Sequence, residues 1–493
     1  MSLLVGIDLG TTGTKAALYG DDGSVRAERT VPTNLRWRGA LVDQDPEELY
    51  ASAAGAVRAC VEGVEAGAVA ALAVGGQMAG TMAVDAGWNA VTPYDSWLDT
   101  RCAPEVSYLD RELGDRLTEL SGCPPMVNHA SKIRWWREHE PAAFASAAAW
   151  ILPGAYVAGR LCGLKADAAF VDHTYLHFTG LVDARAGAWS PELAGAVGVG
   201  VERLPRIVAP TEIVGSLGGR GAADCGLLQG TPVAAGLGDT AASILGAGVV
   251  APGQLLDVAG TAAVLAASVD SYRPDIEHRT LMAMRGAVPG QWLSYSYLSG
   301  GPLLSWIADL LGEEGFDAVT AQAARAPAGA DGLLCVPHLD GRLLPSEPAL
   351  RAAWVGLHRR HGRPHLARAA LEGVAYEYAG YLRVLGDPGL EEVRVVGGGA
   401  RSATWNAIKA SVLGLPYVTL EREELGCWGA ALVAGAAVGR FDDLAAAAAS
   451  ATPERGRIEP DPGDHERYAR LAPIYAELSA ALTAPSRRLA EVL

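Results

Sequence analysis

A strand–turn–strand unit occurs twice in this chain, and strands and helices follow each copy. The first copy opens the sequence. LLVGID is a strand, GTTG a turn, TKAALYG a strand, DDGS a turn and VRAERTVP a third strand. Apolar runs punctuated by Gly and Asp in this way read as a β-meander. The second copy, QLLDVAGTAAVLAAS, is followed by the strand SYSYLSG. Between them, QDPEELYASAAGAVRACVEGV begins a helix, with Asp45 at the N-cap, Pro46 at N1 and Glu48 completing a capping-box pattern. VAALAV (69–74) reads as a strand, and helices are expected over 103–120 and 132–139. The pattern restarts near residue 230 with the strand TPVAAG and the capped helix start GDTAASILGAG. Helices at 303–311 and 364–385 follow, then the strand EVRVV, the helix SATWNAIKASVLG, the strand PYVTLE, the small-residue helix CWGAALVAGAAVG and a polar-faced helix from Pro462 on. Strands followed by helices, twice over, predict an α/β protein of two domains, 1–230 and 231–493. A length of 493 residues accommodates both.

Composition narrows the partners. Half the residues are apolar and 19% are charged, which suits large cores and not disorder. The net charge is −16 and no basic run stands out. Nucleic-acid backbones and anionic membranes both require clustered Lys and Arg, so neither is expected as a partner. Seven Cys, none in a C-x-x-C pair or at zinc spacing, read as buried free thiols of a reducing cytoplasm. No leader-like segment or apolar run of about 18 residues is found, so a cytoplasmic protein is expected.

Four stretches carry chemistry. In GIDLGTTGTKAAL a carboxylate, Asp8, ends a strand and runs into a Gly/Thr turn. Glycine lets backbone N–H groups approach an anion. Thr11, Thr12 and Thr14 add hydroxyls, Lys15 adds charge, and Asp8 is the kind of oxygen ligand that Mg²⁺ takes. Together they suit a nucleotide's phosphates and their metal; an ordinary hairpin is the plainer alternative. Gly260–Thr261 echoes this turn in the second half. Gly397–Gly399, between a strand and a helix, let a flat ligand lie on the backbone, and neither G-x-G-x-x-G nor a Walker motif is present. Asp239 follows Gly-Leu-Gly and precedes a helix, where it reads equally as N-cap and as general base. HRRHGRPH (358–365) reads as a solvated loop, since no carboxylate or Cys completes a metal set. The adjacent Trp residues of IRWWREHE (133–140) read as helix packing.

The set GIDLGTTGTK, GQM, WLDTR, GLGDTAA, GTA, GGGARS and ELGCWGAALVAG, in this order, resembles the FGGY carbohydrate kinases, and the spacing is most similar to xylulokinases. The resemblance runs from Val5 to about Gly439. It implies two actin-like (ribonuclease H-like) domains with ATP and sugar in the cleft between them, and ATP-dependent phosphorylation of a sugar hydroxyl. It assigns Asp8, Thr11 and Thr12, with Lys15 nearby, to phosphates and Mg²⁺, and Asp239 to the catalytic base. Gly260 and Thr261 fall on the second phosphate loop, with Ala262 where Ser is usual. Gly398, Gly399 and Asn406 fall on the adenosine pocket. Trp97, Asp99 and Arg101 fall on a sugar-side segment, and Gln77 and Met78 on the sugar wall. A ketopentose such as xylulose is the expected substrate. Ribulose, another ketose, glycerol, erythritol or a sugar acid are alternatives within the class. An actin-like ATPase without an acceptor, or a sugar-binding regulator without catalysis, are the readings outside it. A homodimer is compatible with the family.

One departure bears on specificity. Where xylulokinases read Gln-Met-His-Gly, this chain has Ala79. A buried substrate hydroxyl left without its partner costs about 1–3 kcal/mol. Ala79→His is therefore expected to shift the ratio of kcat/KM among ketoses; an unchanged ratio would remove position 79 from the specificity determinants.

Overall fold

The computed structural model describes residues 2–260, 262–386 and 389–492. The opening meander forms as read. Strands β1 (Leu3–Leu9), β2 (Gly13–Gly20) and β3 (Val25–Pro32) are antiparallel neighbours. Helix α1 (Pro46–Cys60) then crosses back to β4 (Val69–Gly76), which pairs parallel to β1 with Asp8 opposite Gly75. Asp45 caps α1 by accepting from Glu47 N, while Glu48 reaches Asn34 and does not complete the box. After a long excursion containing helix α2 (His129–His139), strands β5 (Ile213–Ser216) and β6 (Pro232–Ala234) finish a six-stranded sheet of order β5-β6-β4-β1-β2-β3. The strand TPVAAG thus belongs to the first sheet and does not open the second domain. It lies parallel to β4 and covers an edge that would otherwise be unpaired.

Helix α3 (Asp239–Gly246) leads into the second sheet. Its strands are β7 (Gln254–Ala259), β8 (Ala263–Val269), β9 (Met282–Arg285), β10 (Trp292–Leu298), β11 (Glu392–Val396), β12 (Tyr417–Leu420) and β13 (Glu454–Ile458), in the order β9-β10-β8-β7-β11-β12-β13. Long helix α4 (Arg363–Leu385), α5 (Ala403–Leu413), α6 (Gly426–Ala437) and the terminal α7 (Pro462–Val492) complete this half. The two halves share one plan, a β-meander continued by a parallel strand behind a helix. Both are actin-like domains.

The expected helix over 103–120 is two, Ala103–Glu112 and Asp115–Ser121. Gly114 breaks it with φ +43°, a left-handed conformation that glycine tolerates. All seven cysteines are unpaired, and six are buried.

The domains are joined by small residues. Helix α6 comes from the second half, yet it packs on β1 and β4 of the first sheet and against α3. A Cβ at Gly6 would lie 1.8 Å from the Cys427 carbonyl oxygen, and one at Gly429 would lie 2.1 Å from that of Ala242. At the far side, the β9–β10 hairpin docks on the first half: Ala283 N donates to Gly122 O (2.7 Å) and the His177 ring meets the Tyr295 hydroxyl (2.6 Å). Gly6→Ala is expected to cost about 3 kcal/mol, since backbone has to move. Gly55→Ala, in α1 with open space around it, should be neutral or stabilising by up to about 1 kcal/mol. Urea midpoints of the two variants check this; equal midpoints would contradict it.

Candidate active site

The cleft between the domains opens where β1 ends. Asp8, the last polar residue of β1, is partly exposed there. Burial pushes its carboxyl up to about 7, the Asp239 and Glu424 charges add to this, and Lys15 opposes it. Asp239 is also partly exposed and starts α3. The residue before it, Gly238, is pinned twice, by a parallel bridge to Gly76 at the end of β4 and by donation to Thr174 Oγ1 (2.9 Å). Gly238 is also the N-cap, so Asp239 is not the cap. Among the described residues its carboxylate accepts only from its neighbour Thr240, at the backbone N (2.5 Å) and the hydroxyl (3.2 Å). Burial raises it to about 6 against those bonds. A carboxylate held this way has an accepting oxygen to spare and a pKa close to the range a general base needs.

The first loop is closed by Gly10 N donating to Gly13 O (3.1 Å). Thr11 Oγ1 accepts from Trp97 Nε1 (2.9 Å), and Thr12 is exposed. Thr14 does not face the cleft. Strand alternation turns it inward, where its hydroxyl shares a hydrogen bond of 2.7 Å with Ser52 of α1. Lys15 takes the opposite face and pairs with Glu424 from the second domain.

The sugar-side residues divide in the same way. Gln77 is buried and braces the first loop: Nε2 donates to Gly10 O (3.1 Å) and to Gln44 Oε1 (2.9 Å), while Gln44 Nε2 donates to Thr11 O (3.1 Å). Met78 packs on Gly238, where a Cβ would come within 2.5 Å of its methyl, and its carbonyl binds the His129 ring at 2.7 Å. Burial holds that imidazole down at about 4, so it is neutral. Asp99 is fully buried. Its carboxylate accepts from Val42 N (3.2 Å) and pairs with Arg101 Nε (3.2 Å). Arg101 also pairs with Asp95 and lies 4.0 Å over the Trp135 ring. Of the expected Trp97, Asp99 and Arg101, only Trp97 stands substantially exposed, at 43%; the other two close the segment on itself.

On the nucleotide side, a cavity of about 1080 Å³ is lined by Lys15 and the Gly23–Val25 turn of the first domain, and by Gly397, Gly398, Arg401 and Asn406 of the second. Asn406 Nδ2 donates to Ala400 O (2.8 Å), and its Oδ1 is buried without a partner among the described residues. Gly399 does not line the cavity. It lets Trp405 close against Ala259, and a Cβ there would lie 2.4 Å from the Trp405 ring. Gly260 follows β7 with its N–H on Val258 O (3.0 Å), and Thr261 lies outside the described residues.

Three residues of this site escaped the sequence reading. Gln44 sits in VDQDP, where nothing marks it apart from the helix start that follows. His129 opens helix α2, and no motif marks it. Glu424 lies in ELGCWGAALVAG, but only the fold brings it to Lys15. Among the described residues no group of three or more His, Cys, Asp or Glu is placed to hold a metal. The stretch expected as a loop at 358–365 ends inside α4, which begins at Arg363, and it acquires a carboxylate from afar, since His365 meets Asp331 at 3.3 Å.

Two actin-like domains enclosing a nucleotide-sized cavity, with the Asp8 and Asp239 carboxylates near one another at the end of the first sheet, define a phosphotransferase of the sugar-kinase class. The chain belongs to the FGGY family of carbohydrate kinases: the family's N-terminal domain model matches residues 3–246 and its C-terminal domain model residues 258–438. It is an ATP-dependent sugar kinase. The xylulose kinase of Escherichia coli is 30% identical over 84% of this chain and 85% of its own length. The gluconokinase of Bacillus subtilis is 26% identical, over 98% and 96% respectively. The crystal structure of xylulose kinase from Rhodospirillum rubrum superposes with a TM-score of 0.90 at 29% identity, covering 98% of this chain and all of that one. Among the described residues no helix is long and apolar enough to cross a membrane.

Proposed function

We propose that this kinase transfers the γ-phosphoryl group of ATP to a primary hydroxyl of a ketopentose of the xylulose type, with Asp239 as general base. The observation that carries this reading is the Asp239 carboxylate. It is freed from capping by Gly238, bound among the described residues only to Thr240, and set beside the Met78 wall. It takes the proton of the attacking hydroxyl, a contribution of about 10²–10⁴-fold. The cavity side supplies the nucleotide contacts, with Lys15 at the phosphates and Gly398 and Asn406 at the adenosine; the orphaned Asn406 Oδ1 suits a ligand donor. Phosphoryl transfer is largely positioning and charge stabilisation, and a closed cleft excludes the water that competes as acceptor.

Mg²⁺, when bound, neutralises the β- and γ-phosphate oxygens. Asp8 fits it as the protein's carboxylate ligand, because its neighbours Asp239 and Glu424 make a site that a cation relieves, and Mg²⁺ takes few protein ligands beside phosphates and water.

The sugar side favours a neutral ketose over a sugar acid. Arg101 is held by Asp95 and Asp99, and Lys132 donates to Ser96 O (2.7 Å) and Asp99 O (3.0 Å), so both cations of this wall are engaged. The gluconokinase among the relatives keeps the sugar acid as the second reading.

Asp239→Asn should lower kcat by about 10²-fold or more, with ATP binding and thermal midpoint kept because Gly238 provides the cap. Near-normal turnover would remove the base assignment. The pH profile gives an independent check. A base with its pKa raised to about 6 is ionised and active above that pH and protonated below it. kcat/KM for the sugar should therefore fall as pH drops through about 6. A profile that stays flat down to about 4, the ordinary Asp range, would contradict it.

A further inference from the structure

Behind the nucleotide cavity lies an ion pair that this mechanism does not use. Asp257 on β7 and Lys409 on α5 pair with no exposure of either side chain. Asp257 Oδ1 also accepts from Tyr378 of α4 (2.8 Å), and the Lys409 ammonium lies 4.1 Å over the Trp405 ring. Burial pushes that ammonium below the usual lysine range, and Asp257 holds it up.

A buried ion pair is weak evidence of stabilisation, because desolvation of both charges offsets their attraction. In some proteins such a pair serves to fix one arrangement among several. Here three elements converge on one carboxylate. Lys409 is three residues beyond Asn406 on the same helix, so the two share a face one turn apart. Asp257 is three residues before Gly260, at the end of the strand that leads into the second loop.

We infer that the Asp257–Lys409 pair is a positioning device for the nucleotide, setting the register of α5 against β7 so that Asn406 faces the ligand. This rests on the nucleotide site proposed above. Helix α5 is packed mainly by α4, α7 and strands β12 and β13, so the buried pair is its side-chain tie to β7.

The test is binding of Mg·ATP without sugar, by calorimetry, to wild type and to the double variant Asp257→Asn/Lys409→Met. The double variant removes both charges, keeps the bond from Tyr378 and keeps the stem over Trp405. The expected result is a thermal midpoint within a few degrees of wild type, ATP affinity at least tenfold weaker, and an unchanged KM for the sugar. A folded double variant that binds ATP within twofold of wild type would overturn the inference, and the pair would then be structural only. Lys409→Met alone leaves a buried carboxylate unpaired and is expected to be much less stable. If the double variant does not fold, Asp257→Asn alone, whose lysine can shed its proton, is read by the same criteria. Failure of wild type to bind ATP would instead overturn the nucleotide site itself.

Discussion

The contact between α6 and the first sheet is what the rest of the molecule depends on. A helix from the second half can reach β1 only because Gly6 and Gly429 remove side chains from the approach. The Cys427 carbonyl oxygen and the Gly6 backbone then meet at a distance that no Cβ permits. The consequence is electrostatic as well as steric. Gly426 leaves room for the Asp8 carboxylate, and Glu424 just before it reaches Lys15. The same packing seats α3, with Asp239 at its start, beside the end of the first sheet. Two carboxylates and a lysine are thus assembled by residues chosen for having almost no side chain.

The two copies of the strand–turn unit show how one fold serves two purposes. In the first, Asp8 stands two residues before the turn glycine, Gly10. In the second, Asp257 stands three before Gly260. Strand side chains alternate, so this offset of one sends the carboxylates to opposite faces. Asp8 looks into the cleft, and Asp257 looks into the core, where Lys409 and Tyr378 meet it.

Alternation also explains how far the site was legible in the sequence. The meander, the capped α1 and the glycine loop at 397–399 are local signals, and they formed where the residues place them. Thr14 lies in the same turn as Thr11 and Thr12, but its parity puts its hydroxyl on Ser52. Asp99 and Arg101 lie in the sugar-side segment, and its three-dimensional closure pairs them with each other. The pairing of β6 with β4 was invisible because an apolar run does not name its sheet. Glu424, Gln44 and His129 act through partners far away in the chain, and no spacing rule reaches that distance. The capping question at Asp239 needed backbone geometry, since Asp beside a helix start satisfies both roles on paper.

The central claim is that the cleft passes phosphate from ATP to a neutral ketose. ADP release by the purified protein, coupled to an optical readout, measures this directly across ketopentoses, polyols and sugar acids with Mg·ATP. The account predicts strong stimulation by a ketopentose of the xylulose type and little by gluconate. Stimulation by gluconate above that by any ketose would contradict the substrate, and steady ADP release indifferent to every sugar would contradict the transfer itself.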